Sequence, residues 1–151
     1  MAAASGRVAH VLLKMGTVVD LGMSRKASSG PPEAQAYAAQ QIESLRPDLV
    51  ITEKVLSRSK KGPKTREIIA AITSVANVAD VMNVEIVRLH SYSNRFEEAR
   101  DLARRYPAMR PYLPKVRKPW EAEPKVLIYF EALSLTESVF GTAPADDSVV
   151  E

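Results

Sequence analysis

Two glutamates stand where a carboxylate is both most useful and most costly. Glu53 closes the run Asp48-Leu49-Val50-Ile51-Thr52-Glu53-Lys54, a short apolar stretch that reads as a buried strand delivering one acid at its carboxyl end. Ligand crevices of open parallel or mixed sheets lie outside that end of the strands, and a carboxylate there can hold a hard cation such as magnesium through oxygen. The plainer alternative is a glutamate that caps the strand and faces water beside Lys54. Glu131 is set among Val126, Leu127, Ile128, Phe130, Leu133, Leu135, Val139 and Phe140, which cover nearly the whole circumference of a helix. An ionised carboxylate in such surroundings is costly unless it is paired or bound to a cation.

The elements that must position these acids follow from period and punctuation. Arg7 to Lys14 and Thr17 to Met23 are rich in branched apolar residues and read as two strands of a hairpin turning at Met15-Gly16. His10 and Asp20 on those strands read as structural residues rather than ligands. Lys26 to Pro32 is a loop by composition, and Ala34, Ala38, Ile42 and Leu45 then recur at helical spacing from Glu33 until Pro47 stops the helix. After the strand that carries Glu53, Gly62-Pro63 opens a second helix with the stripe Ile68, Ile69, Ile72, Val75, Ala79 and Met82. Val84 to Leu89 is another strand, with His90 at its end. Asn94 caps a short helix reaching about Arg105, with Glu97 placed as its capping-box partner. Pro124 opens the last helix and Gly141 ends it. Strand, strand, helix, strand, helix, strand, helix is the pattern of an α/β domain.

Charge is distributed unevenly. Six basic residues and no acidic ones lie between Lys54 and Arg66, and six more lie between Arg104 and Lys118. Clustering of this kind is the footprint of a phosphate-backbone partner, although solvated loops produce it too. Lys64 and Arg66 fall in the first turn of a helix, the wrong end for cations by the helix dipole but the right end for holding an anion against free backbone N–H groups. From Tyr106 to Trp120 four prolines break the chain, and Arg110, Lys115, Arg117 and Lys118 interleave with Tyr106, Tyr112 and Trp120. That mixture suits phosphates and unpaired bases; a proline-stiffened connector whose aromatics pack on the core accounts for it equally well.

The 151 residues and 46% hydrophobic content predict one globular domain over residues 1–141 followed by a flexible acidic tail, 142–151. No apolar run approaches a membrane span, and no basic region with an apolar core opens the chain, so a cytoplasmic protein is expected. There are no cysteines, which excludes disulfides and thiolate chemistry, and only two histidines, so any metal must lean on carboxylates. A nucleotide-binding α/β protein is disfavoured because no Gly-rich phosphate loop of the required spacing exists.

The order hairpin, helix, acid-bearing strand, helix, strand, acid-bearing helix resembles that of the RNase H-like nucleases, particularly RuvC-type Holliday junction resolvases and their phage and proteobacterial relatives. Asp48-Leu49-Val50-Ile51-Thr52-Glu53 looks like the strand bearing their second acid. Phe130-Glu131-Ala132-Leu133-Ser134-Leu135 looks like their terminal-helix motif, and Lys118-Pro119-Trp120-Glu121-Ala122-Glu123 like the approach to it. The resemblance covers Arg7 to about Phe140 and implies an RNase H-like fold with a mixed central sheet flanked by helices. It further implies Glu53 and Glu131 as catalytic ligands of Mg2+ or Mn2+, the ions about 4 Å apart in two-metal phosphodiester cleavage. Lys60, Lys61, Lys64 and Arg66, with Arg110, Lys115, Arg117 and Lys118, would hold nucleic acid, DNA in preference to RNA, and the protein would work as a homodimer without a membrane. Two positions depart from the pattern. Ala3 stands where the first aspartate belongs, on a strand that must be short or missing, and Ile128 stands where a further helix acid is common. A crippled endonuclease and a non-catalytic nucleic-acid-binding or structural module of the same fold are the two readings that result.

Overall fold

A computed structural model describes residues 1–88, 92, 94–115 and 123–140. The chain alternates short strands with helices: β1 (Ala2–Ala4), β2 (Arg7–Lys14), β3 (Thr17–Ser24), α1 (Pro31–Leu45), β4 (Leu49–Glu53), α2 (Pro63–Val78), β5 (Met82–Ile86), α3 (Arg95–Arg105) and α4 (Leu127–Phe140). Single 3-10 segments lie at Lys26–Ser28 and Pro107–Tyr112. The fold class is mixed α/β. Among the described residues no helix is long and apolar enough to cross a membrane.

β1, β2 and β3 form an antiparallel meander, while β4 and β5 pair in parallel across the α2 connection. The β2–β3 turn falls at Met15-Gly16, where both residues have positive φ, +52° and +78°. Such a pair matches the right-handed twist of the strands it joins. Val19 has no partner opposite it, because the register slips between Leu12 and Leu13, and this bulge bends the hairpin. The Met1 nitrogen donates to the Ile51 carbonyl at 2.8 Å, which joins the start of β1 to the middle of β4.

Strand alternation divides the core in two. Ala3 and Val8 pack with Ala34 and Ala38 of α1 and with Ile68, Ile69, Ala71 and Ile72 of α2. On the opposite face Ala2 and Ala9 meet Ile128 and Ala132 of α4, and a larger cluster joins Leu102 and Ala103 of α3 to Leu127, Phe130 and Leu133 of α4. Alanines on β1 and α1 let backbones approach closely where larger side chains would hold them apart. His10 is satisfied within the structure: Nδ1 lies 2.6 Å from the Tyr37 hydroxyl and Nε2 2.8 Å from Asp20. Its ring lies over Gly22, where an added Cβ would come within 2.7 Å of it.

Several boundaries differ from the sequence expectation. The second helix stops at Val78, with Ala79 already extended, so Met82 belongs to β5 and is 68% exposed instead of continuing the helical stripe. β5 accordingly begins two residues before Val84 and closes at Ile86. The first helix starts at Pro31, since prolines fit its first turn. α4 starts at Leu127, after a turn over Lys125-Val126. Asn94 caps α3 as expected, its side chain accepting from the nitrogens of Phe96 and Glu97. The expected tail 142–151 and the helix stop at Gly141 lie outside the described residues, as do His90, Arg117, Lys118 and Trp120.

Candidate functional site

The strand that carries Glu53 is buried from Val50 onward, and the acid itself is 6% exposed. Residues 50 to 53 are inaccessible on both faces because α2 covers one side and α4 the other, as expected of a strand in parallel pairing. α4 contributes Glu131, 4% exposed, from the side of the helix facing that strand. The two acids were singled out separately by their local sequence; the fold brings them to one point.

At that point stands a lysine. Lys61 Nζ donates to Glu53 Oε1 at 2.7 Å, to the main-chain carbonyl of Ala3 at 2.9 Å, and to Glu131 Oε2. An ammonium has three donors, and all three find oxygen. Arg95 closes the other side of Glu131, with Nη2 3.0 Å from Oε1, and its Nη1 reaches Glu123 at 2.5 Å. A third buried carboxylate completes the cluster: Glu98 of α3 pairs with Arg88. Burial tends to raise the Glu131 carboxyl, yet Lys61 first and Arg88 and Arg95 after it hold it below the ordinary carboxylate range. Glu98 goes the other way; burial lifts it, and the neighbouring Glu131 adds to the lift against the opposing Arg88.

The donor set can be tested against the metal pair that the family resemblance implies. Among the described residues Glu53 and Glu131 are the only two carboxylates at that point, joined by the Ala3 carbonyl, and Lys61, Arg95 and Arg88 already neutralise the buried acids. Two divalent ions would add four positive charges to a cluster that is balanced without them. As arranged, these residues do not fit a two-ion centre, and Ala3 contributes a carbonyl where an acid side chain would be required. Among the described residues no group of three or more histidine, aspartate or glutamate side chains is placed to hold a metal ion.

The expected phosphate contacts separate into distinct roles. Lys61 is turned inward to the acids. Arg66 is used by its own loop: its guanidinium donates to the carbonyls of Lys61 at 2.9 Å, Ser59 at 2.8 Å and Ser57 at 3.3 Å. Lys60 and Lys64 are exposed, as are Arg110 and Lys115. Tyr106 is buried and donates from its hydroxyl to Glu137, and Tyr112 packs edge-on against Tyr129 with centroids 5.3 Å apart. Both described aromatics of the basic proline-rich segment therefore belong to the core, as the connector reading requires.

Beside the acid cluster, at the carboxyl ends of β4 and β5, a cavity of about 560 Å³ is lined by Lys54, Arg58, Lys60, Lys61 and Arg88 together with Glu53, Leu56, Ser59 and Val87. Sequence reasoning counted Lys54 and Arg58 in a basic cluster suited to phosphate and named Lys60 and Lys61 individually, but it gave Arg88 no such role and missed Glu98 altogether. Glu98 was detectable, since it lies four residues before the buried Leu102 and so on the same helix face. Arg88 gave no such signal, because its position depends on where β5 ends. Compared with family models, with curated proteins and with solved structures, the chain matches none.

Proposed function

We propose that the chain is a RuvC-like, RNase H-fold module that binds nucleic acid, structured or branched DNA above all, and does so without cutting it. The observation that carries the non-catalytic part is the Lys61 ammonium seated between Glu53 and Glu131 against the Ala3 carbonyl. Hydrolysis of a phosphodiester by paired carboxylates needs them to gather divalent cations; here a fixed side chain has taken their charge. The element order, with one acid at the end of β4 and one on the terminal helix, supports the fold assignment. Binding is supported by the basic cavity next to the acids, whose outer cations are open to a polyanion.

The metal-dependent endonuclease remains the second reading, favoured by the convergence of Glu53 and Glu131 within reach of one cation. A labelled four-way junction incubated with the protein in Mg2+ or Mn2+ separates the two. Salt-sensitive binding with intact substrate is the expected result. Cleavage that Glu53→Gln abolishes would establish the nuclease instead, and absence of salt-sensitive binding to DNA or RNA would overturn both.

A further inference from the structure

The cavity beside the acid cluster has a division of labour in its walls that points to its occupant. Lys61 and Arg88 are committed to Glu53, Glu131 and Glu98. Lys54, Arg58 and Lys60 are exposed and have no carboxylate partner among the described residues. All three line the same recess. Glu53, the acid on its wall, is already paired, so it adds little repulsion to an incoming anion.

The loop that presents these cations is held in place before any ligand arrives. Arg66 gathers the carbonyls of Ser57, Ser59 and Lys61. The Ser59 nitrogen donates to the Leu56 carbonyl at 2.9 Å, and the Lys61 nitrogen to the Ser59 hydroxyl at 3.3 Å. A loop fixed in this way loses little freedom on binding, which is the condition for a preorganised site. Its concavity also matters. A volume of about 560 Å³ is in the range of small-ligand sites, with Leu56 and Val87 giving it apolar wall. A recess of that size admits one nucleotide and not the flank of a duplex.

We infer that this cavity, framed by Lys54, Arg58 and Lys60 on the loop fastened by Arg66, receives a phosphomonoester, either the phosphorylated terminal nucleotide of a strand or a free mononucleotide. Three uncommitted cations suit a group carrying close to two negative charges better than a phosphodiester carrying one, and Arg58 can engage two of its oxygens at once. The strand-end form of the inference rests on the nucleic-acid reading above; the mononucleotide form does not.

The test measures binding of fluorescent single strands of about ten nucleotides, within the span of ordinary single-strand sites, ending in a 5′-phosphate, a 3′-phosphate or hydroxyls alone. Unlabelled deoxyadenosine monophosphate and deoxyadenosine serve as competitors. Two variants run alongside: Arg58→Ala with Lys60→Ala, both exposed and outside the packed core, and a control of equal charge, Lys14→Ala with Arg100→Ala. A phosphorylated strand is expected to bind about tenfold or more tighter than the hydroxyl-ended one. That preference should vanish in the Arg58/Lys60 variant and survive in the control. Equal binding of all three strands would overturn end recognition while leaving nucleic-acid binding intact. Binding of the monophosphate but not of deoxyadenosine, with no strand bound, would uphold the phosphomonoester site in its free-nucleotide form and overturn the nucleic-acid reading. No binding of any phosphorylated probe would overturn both.

Discussion

Lys60 and Lys61 are neighbours in sequence and opposites in the molecule. Lys61 points inward, its side chain 19% exposed, and gives every proton of its ammonium to a buried oxygen. Lys60 points outward into the cavity with no carboxylate partner among the described residues. The chemical groups are identical and the consequences are not. In the acid cluster charges cancel where water cannot screen them, so each one matters to stability; in the loop they remain uncancelled in water, so they matter to ligands and hardly at all to folding. The difference teaches that a cation's role here is set by which side of the loop backbone it leaves from.

The most severe way to break that contrast is to remove the inner cation. Lys61→Met leaves Glu53 buried without its ion-pair partner and Glu131 with only Arg95 bonded to it and Arg88 nearby. Loss of one partner from a buried ion pair typically costs about 3–5 kcal/mol, which for a domain of this size lowers the melting temperature by roughly 6–20 °C. Calorimetry on the two single variants should find this drop for Lys61→Met alone. Lys60→Met should stay within about 0.5 kcal/mol of the parent, the range of ordinary surface substitutions.

A smaller effect that separates parent from variant comes from pH. Glu131 is held below its unfolded value in the parent, so its contribution to stability is complete above the ordinary carboxylate range and is lost as pH falls through the lowered value. Without Lys61 the largest charge opposing burial is gone and only Arg88 and Arg95 still work against it, so the Glu131 carboxyl moves up. The Glu131 carboxyl, followed by NMR from pH 7 to pH 3, should therefore titrate below the ordinary carboxylate range in the parent and at a higher pH in Lys61→Met. An unchanged titration in Lys61→Met would show that Lys61 does not govern Glu131.

The loop supplies the mildest test. Arg66→Ala removes three carbonyl contacts and should cost about 1–3 kcal/mol, the usual worth of charge-assisted hydrogen bonds. Hydrogen exchange should quicken at the amides of Ser59 and Lys61 while those of β4 keep their protection. Uniform loosening across β4 as well would mean that the loop and the acid cluster are one unit, and the contrast between them would dissolve.

Much of this was legible because burial leaves a pattern. Glu53 stood out at the end of an apolar run, and Glu131 in an apolar helix, since an acid that interrupts such a stretch is conspicuous. Nothing comparable marks Lys61: two adjacent lysines in a basic loop look the same until the backbone turns one of them under. β1 was expected only as a strand short or missing, because three alanines carry little strand preference and its pairing depends on contacts with β2. Met82 fitted the helical period by coincidence, as an apolar residue at that spacing can also begin the alternation of a following strand. Glu98 blends into a helix whose other positions are mostly charged, so only its spacing from Leu102 marks it as inward-facing.

Gly22 draws no attention as a sequence position, yet the His10 ring occupies the space where its side chain would begin. Through that ring the β2–β3 hairpin is fastened to Tyr37 on α1. Even a single methyl group at position 22 would press on the imidazole and disturb its bonds to Tyr37 and Asp20, removing a polar tie between the meander and α1. Gly22 thus sets what this strand tolerates: a change at the exposed Val19 alters a surface, whereas a change here strains the joint between hairpin and helix.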